Sequence, residues 1–569
     1  MKLWKTAETD ATRAAGLARE LDLPCPLAAC LLSRGLTTPE AIERFFKPRL
    51  SDLTDPFAIA GMDAAVTRIW QAIDRAESIA VYGDYDVDGI TATGLLVRVL
   101  SRMGARVTPY LPNRAEEGYG LSLDGLERCV AACAPSLLIT VDCGTPAGDA
   151  VREAQRRGID VVVTDHHEAA GDVAPAVAVV NPKLGDDDRV RMLAGVGVGF
   201  KLCHALVKRG RDAGWLEAGN VDLRDYLEWV AIGTVADAVP LRGENRILVS
   251  HGLGRLGGTQ FAGLKALMDV ARIGPKVDAY HVGFVIGPRM NAVGRIGDAL
   301  TALELVLTDH PPRAQSLAAT LDAANTERKR IESRILVEAE EQIREHFDPD
   351  RHYCLVIGRE DWHVGVIGIV ASRLCARYRR PVVVVAFDEG GVGRGSCRSI
   401  EEFDLVAGLG ECADLLDRFG GHRMAAGMEV RRSRFDAFRS RFHEASAAKL
   451  RSRDLRPVQR IDAWLELGEA DQRLMEGIER AGPFGEGNPV PVWAARGVTL
   501  MGQPRVVGKD HLKMSLAAGG RLMNAIGFGM ASRSVPDGPL DVAFTLERDS
   551  WMGGESLQLH VQDFRPAER

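Results

Sequence analysis

Four short apolar runs between residues 78 and 180 constrain this chain more than any other feature. They are Ser78–Tyr82 (SIAVY), Leu137–Val141 (LLITV), Ile159–Val163 (IDVVV) and Ala176–Val180 (AVAVV), and stretches of helical character such as Ile90–Leu100 and Ala147–Arg157 lie between them. A run of Val and Ile with no alternating polar positions has no face to offer water, so both of its faces must be covered. Runs of this kind alternating with helices predict an α/β fold with a doubly wound parallel sheet. In such a sheet ligands gather beyond the carboxyl ends of the strands. The residues that follow each run therefore matter most.

The rest of the chain bounds that core. With 569 residues, several domains are expected at roughly 150 residues each. We expect a helical cap over 1–65, a large α/β domain over 66–312 and a connector helix over 313–350. A smaller α/β domain over 351–455 and a barrel over 456–569 follow, so that 66–312 is the larger of two α/β domains. The connector rests on Ile331, Ile335, Ala339 and Ile343, which recur every four residues. The barrel rests on alternation at Val542, Phe544 and Leu546 and at Leu557, Leu559 and Val561.

Composition excludes several classes. Hydrophobic residues at 46% and charged residues at 26% are ordinary for a folded protein and exclude a disordered chain. The balance of 71 basic against 78 acidic residues, net −7, excludes a globally basic nucleic-acid binder but not a local basic channel. No apolar run is long enough for a membrane span, and the opening Met-Lys-Leu-Trp-Lys-Thr-Ala-Glu lacks the apolar core of a signal peptide. The 10 cysteines form no CxxC pair, which argues against a zinc ribbon and for reduced thiols in a cytoplasmic protein.

The chemistry follows the strands. Gly83-Asp84-Tyr85-Asp86-Val87-Asp88-Gly89 sets three carboxylates at alternate positions directly after the first run. The spacing matches the start of an EF-hand loop, but its twelfth position is Leu95 and it is entered from a strand. Three aspartates this close repel one another, so a bound cation is expected. Thr140-Val141-Asp142 places another acid at the end of a strand, and Thr164-Asp165-His166-His167 places an acid and two imidazoles at the end of the next. Asp237 sits in an otherwise apolar stretch, where a buried carboxylate needs a partner. Carboxylates with one or two imidazoles suit Mn²⁺ or Mg²⁺. So many ligands imply two divalent cations about 3.5–4 Å apart, sharing Asp142 or a similar acid, which activates water and stabilises a phosphoryl group. Gly195-Val196-Gly197-Val198-Gly199 lacks the strand context of a dinucleotide site and reads as close helix packing.

These residues resemble the DHH phosphoesterase superfamily, on the Asp84–Gly89 motif, Asp142, Asp165-His166-His167 and Asp237. Within it, nearly the whole chain is similar to the single-strand-specific 5′→3′ DNA exonucleases. The likeness extends to Pro112-Asn113-Arg114 with Glu117-Gly118-Tyr119-Gly120, to Gly287–Arg295 (GPRMNAVGR) and to Trp362–Gly368. Gly393–Ser399 (GRGSCRS) and Gly420–Gly427 (GGHRMAAG) add to it. The resemblance implies that Asp86, Asp88, Asp142, His166, His167 and Asp237 hold the metals, with Asp84 and Asp165 as ligands or as partners of ligands. It implies capture of a 5′-phosphate by Arg114, Arg394, Ser396, Arg398 and His422, and contacts to the strand from Arg289, Asn291 and Arg295. Arg394, Ser396 and Arg398 read as a Gly-rich loop whose amides and guanidinium groups hold a phosphate. Four Arg among residues 373–380 and six among 423–441 supply local basic stretches. Release of 5′-mononucleotides from single-stranded DNA, in recombination and repair, is the implied activity. A single-strand-binding protein and a RecQ-like helicase are the implied partners. A small-substrate phosphodiesterase of the nano-RNase or cyclic dinucleotide type and a non-catalytic DNA-binding scaffold are the alternatives. The first are usually shorter chains without the barrel, and the second is marked by loss of metal ligands, every one of which is present here.

Overall fold

The computed structural model describes residues 2–113, 117, 120–169, 171–348, 351–549 and 556–567. The chain divides into two compact units. The first comprises residues 1–291, 299–318 and 458–569, and the second residues 292–298 and 319–457.

The heart of the first unit is a five-stranded, wholly parallel sheet. Its order is Arg106–Tyr110, Ser78–Gly83, Leu137–Val141, Asp160–Thr164 and Ala178–Val180. The expected runs all appear. Arg106–Tyr110 was not expected, because Arg-Val-Thr-Pro-Tyr is no apolar run. It can carry Arg106 and Pro109 because it is an edge strand, half exposed, with one side needing no donors. Ile79, Val81, Ile139 and Val162 bury one face of the sheet against helices, while Ala80, Leu138, Val161 and Val163 bury the other. The strand order reverses between Ser78–Gly83 and Leu137–Val141, so Asp84 and Asp142 flank the switch point.

The cap and the barrel belong to the same unit. Leu3–Thr6 pairs in parallel with Val458–Ile461. Leu17, Leu27, Leu31 and Ile42 of the cap helices share a core with Trp493, Phe544 and Leu559 of the barrel. The cap was expected to be helical, but it also holds a strand, which is completed by a segment more than 450 residues away. Five strands close the barrel: Trp493–Leu500, His511–Ala518, Arg521–Gly527, Leu540–Arg548 and Leu557–Pro566. The first pairs with both the second and the fourth, and the third runs parallel to the fifth. The C-terminal region is not all-β either. Gln472–Ala481 is a helix whose Leu474, Met475 and Ile478 face the cap–barrel core.

The 36-residue helix Pro311–His346 runs from the first unit into the second. Ile335, Ala339 and Ile343 are buried in the second unit's core, as their spacing predicts. That unit holds a mixed sheet ordered Arg418–Gly421, Ala425–Arg431, Val392–Arg398, Val382–Phe387 and Leu355–Glu360. No helix among the described residues is long and apolar enough to cross a membrane.

Candidate active site

Each expected metal-binding side chain except Asp165 belongs to a tight cluster at the carboxyl edge of the parallel sheet. Among the described residues three overlapping groups have ligand atoms within 4.8 Å of one another. They are Asp142, His166 and His167; Asp88, His166 and Asp237; and Asp84, Asp86 and Asp142. The groups share Asp142 and His166, so they describe one continuous site.

Local structure explains the convergence. Asp84 directly follows its strand, and Asp86 caps the helix Val87–Arg102 by accepting from the Gly89 amide at 3.1 Å. Gly89 has no alternative, since a Cβ there would lie 2.5 Å from the Asp84 carbonyl oxygen. Asp88 is buried in the first turn. The amides of Gly195 and Val196 donate to its two carboxylate oxygens at 2.6 and 2.8 Å. These two amides open the helix Gly195–Asp212, whose positive end suits an anion. Sequence reasoning took Gly195–Gly199 for packing alone and missed this role. Packing is part of it: a Cβ on Gly195 would lie 2.5 Å from Asp142 Oδ1. Asp142 itself adopts φ 62°, a left-handed conformation uncommon outside glycine. Asp237 ends the apolar helix Leu227–Ala236.

Asp165 is engaged elsewhere. Its Oδ1 accepts from the amides of His166 and His167 at 2.7 and 3.1 Å and lies 2.8 Å from His167 Nδ1, while its Oδ2 accepts from the Thr145 amide at 2.9 Å. Both oxygens are thus committed to shaping the turn and fixing the His167 ring. Asn181 steadies the same turn, donating to the His167 carbonyl and the Thr145 hydroxyl, both at 2.9 Å. Neither Thr145 nor Asn181 carried a signal in the sequence.

The electrostatics favour a cation. Burial, then repulsion from Asp86, pushes the Asp88 carboxyl up to about 7. Burial, then repulsion from Asp88, pushes Asp237 to about 9 and holds Asp142 well above the usual carboxylate range. Burial also lowers the His166 imidazole to about 3, so its 3.0 Å approach to Asp142 joins a neutral ring and a carboxyl rather than an ion pair. Asp165 behaves oppositely. Burial raises it, but hydrogen bonds from His167 and Thr145 outweigh that and hold it at about 2. Asp142 Oδ1, His166 Nε2 and Asp237 Oδ2 are buried and make no hydrogen bond. Converging, buried, unsatisfied oxygen and nitrogen atoms of this kind fit hard divalent cations.

Two further sets of residues were expected to bind the substrate. Of the strand-contacting set, Asn291 Oδ1 accepts from the Val87 amide at 3.2 Å, so it braces the acidic loop as well as standing where a strand contact is expected. Arg289 donates to the Val285 carbonyl at 2.8 Å. Arg295, in the second unit, donates to the Gly365 carbonyl at 3.3 Å. Of the phosphate-binding set, Arg114 lies outside the described residues. Among the described residues near it in sequence, buried Glu117 accepts from the Asn113 amide and the Tyr110 hydroxyl, both at 2.9 Å.

The other phosphate-binding candidates need one correction. Arg394, Ser396 and Arg398 lie on a strand, Val392–Arg398, not in a Gly-rich loop. The glycines belong to the sheet's inner face, where a Cβ on Gly393 would lie 2.6 Å from Phe387 and one on Gly395 would collide with Met428. Period two then sets Arg394, Ser396 and Arg398 together on the outer face. Arg398 Nη1 donates to Ser396 Oγ at 3.2 Å, while Arg394 stands 3.6 Å from Glu429. His422 is exposed in the neighbouring hairpin and donates its amide to the Ala425 carbonyl at 2.8 Å.

Comparison with known proteins agrees with this geometry. Residues 78–234 match the DHH family, N-terminal domain, residues 351–448 the DHHA1 domain, and residues 461–563 the RecJ OB domain. The single-stranded-DNA-specific exonuclease RecJ of Dickeya dadantii is 38% identical over 570 residues, covering 96% of this chain and 98% of its own. The crystal structure of RecJ from Thermus thermophilus in complex with Mn²⁺ aligns with a TM-score of 0.85 at 30% identity. That match covers 100% of this chain and 80% of the other. The same protein in complex with Mg²⁺ aligns with a TM-score of 0.79 at 29% identity, covering 100% and 79%.

Proposed function

Because the chain belongs to the RecJ family of single-stranded-DNA-specific exonucleases, we propose that its acidic cluster hydrolyses the terminal phosphodiester of single-stranded DNA from the 5′ end. The protein is a metal-dependent exonuclease of the DHH class that uses Mn²⁺ or Mg²⁺. The observation that carries the assignment is the overlap of three ligand groups through Asp142 and His166. One acid shared by two groups is what a pair of adjacent ions requires.

On this reading Asp84, Asp86, Asp88, Asp142, His166, His167 and Asp237 hold two cations. When bound, these supply Lewis acidity to the phosphoryl group and lower the pKa of a water. The chain's own residues do the rest. Asp165 orients His167, the helix amides at Gly195 and Val196 hold Asp88, and Gly195 leaves room for Asp142. Arg114, Arg394, Ser396, Arg398 and His422 receive the 5′-phosphate, and Arg289, Asn291 and Arg295 receive the strand. The barrel extends the strand path. On it, half-exposed Phe528 stands edge-on between His511 and His560, with centroids 4.9 and 4.8 Å away. Residues 66–312 act as catalytic domain, 351–455 as end-binding domain and 456–569 as strand-binding barrel. Recombination and repair in the cytoplasm, beside a single-strand-binding protein and a RecQ-like helicase, is the setting this activity fits.

The test is digestion, with Mn²⁺, of a 5′-labelled single strand, the matching blunt duplex and a diribonucleotide. Mononucleotides released first from the 5′ end of the single strand are expected. Cleavage of the dinucleotide with the long strand spared would leave the metal site standing and overturn the substrate.

A further inference from the structure

Two aromatic rings stand exposed on the element that braces the metal loop. Tyr280 is 64% and Phe284 69% exposed, and the two stack on each other with centroids 5.0 Å apart and planes at 27°. Single exposed apolar residues are common on any protein, but two large rings in contact form a contiguous apolar surface that water wets poorly. The turn that presents them is specified. Asp278 and His281 form a reciprocal capping box, and Val282–Ile286 winds as a π-helix, a form that recurs at functional sites.

That element is tied to the catalytic cluster at two points. A Cβ on Gly283 would lie 3.8 Å from Val235 and one on Gly287 3.7 Å from Ala236, so the segment rests on the turn that delivers Asp237. Seven residues past Phe284, Asn291 Oδ1 accepts from the Val87 amide inside the acidic loop. Seven residues of helix rise about 10 Å. A single strand covers that distance in a few nucleotides.

We propose that Tyr280 and Phe284 form a stacking platform for the bases of single-stranded DNA, within a few nucleotides of the scissile bond. The inference rests on the exonuclease reading above. Stacking suits an enzyme that must hold every sequence equally, because every base has a π face. It would also favour an unpaired strand, whose bases are free to turn onto the rings. Continuity with the metal loop favours DNA over a protein as the occupant.

The platform predicts an effect that depends on strand length. In Phe284→Ala, KM for a 20-nucleotide single strand should rise about tenfold while kcat falls less than twofold. KM for a dinucleotide, too short to reach the rings, should rise far less. Phe284→Tyr should restore the long-strand KM, which a merely structural lesion would not predict. A 2-aminopurine placed a few nucleotides from the 5′ end should be quenched on binding to the wild type with Ca²⁺ and regain its emission with Tyr280→Ala/Phe284→Ala. Equal KM changes for both substrates, or an unchanged KM for the long strand, would overturn the platform. A wild type that sediments as a dimer and becomes a monomer on Phe284→Ala would assign the rings to self-association instead. If the wild type cut no long strand at all, the exonuclease reading would fail first, and the unchanged quenching of a bound strand would still report on the platform.

Discussion

At the scale of single residues, the site is a charge problem solved by cations. The raised carboxyls mean that the metal-free folded protein keeps protons that the unfolded chain, with aspartates near 3.9, has released. Its stability therefore falls as pH rises from about 4, through the range near 7 where Asp88 titrates, to the range near 9 where Asp237 does. Metal binding displaces those protons, so affinity rises over the same range. Thermal melts of the protein in EDTA should show a lower Tm at pH 8 than at pH 5, and the gain on adding Mn²⁺ should be larger at pH 8. A metal-free Tm independent of pH would contradict the raised carboxyls. Asp165 supports a different expectation. Asp165→Asn leaves one acceptor oxygen for the His166 and His167 amides, sets an NH2 group against the Thr145 amide and removes the charge that holds His167 Nδ1. Metal affinity, measured by titration with Mn²⁺, should fall about 10- to 100-fold with little change in fold. The sequence made the acids and imidazoles legible because they sit directly after apolar runs. It left open whether Asp165 was a ligand, because that depends on which way its two oxygens point, and only the neighbouring amides of Thr145, His166 and His167 decide it.

At the scale of elements, two helix and strand features shape the chemistry. The N-terminus of Gly195–Asp212 approaches the cluster so closely that Gly195→Ala must displace Asp142 or the helix. Overpacking of this kind costs about 1–3 kcal/mol, and the Mn²⁺-dependent gain in Tm should shrink with it. Undiminished metal binding in that variant would show that the helix can retreat. In the second unit, the strand Val392–Arg398 carries Arg398 and Ser396 side by side. Loss of one charge-assisted hydrogen bond to a phosphate costs about 1.5–3 kcal/mol. Arg398→Ala should therefore lose preference for a 5′-phosphorylated over a 5′-hydroxyl end, read from the ratio of kcat/KM values. Glycines in a short Arg-rich segment look like a loop from sequence, because the usual cost of glycine in a strand argues against one. Here Phe387 and Met428 fill the space that Cβ atoms would need, a tertiary fact with no local signature.

At the scale of the whole molecule, the parallel sheet was legible because its buried strands carry their own signal, whereas Arg106–Tyr110 owes its place to pairing with Ser78–Tyr82. The union of the cap and the barrel was not legible at all, since no local pattern at Leu3–Thr6 points to Val458–Ile461. That union predicts an asymmetry in truncation. A chain ending at residue 457 should aggregate, because Leu27, Leu31 and Ile42 lose the core they share with the barrel. Removing residues 1–48 as well should recover a soluble protein, checked by gel filtration and circular dichroism. The same pairing bears on synthesis. The cap emerges before the barrel, and its partner strand follows more than 450 residues later. At roughly 5–20 residues per second, the ribosome needs on the order of 20–90 seconds to deliver it. For that interval the amino-terminal helices carry an uncovered apolar face, so the newborn chain, rather than the finished enzyme, is the species that most needs a chaperone.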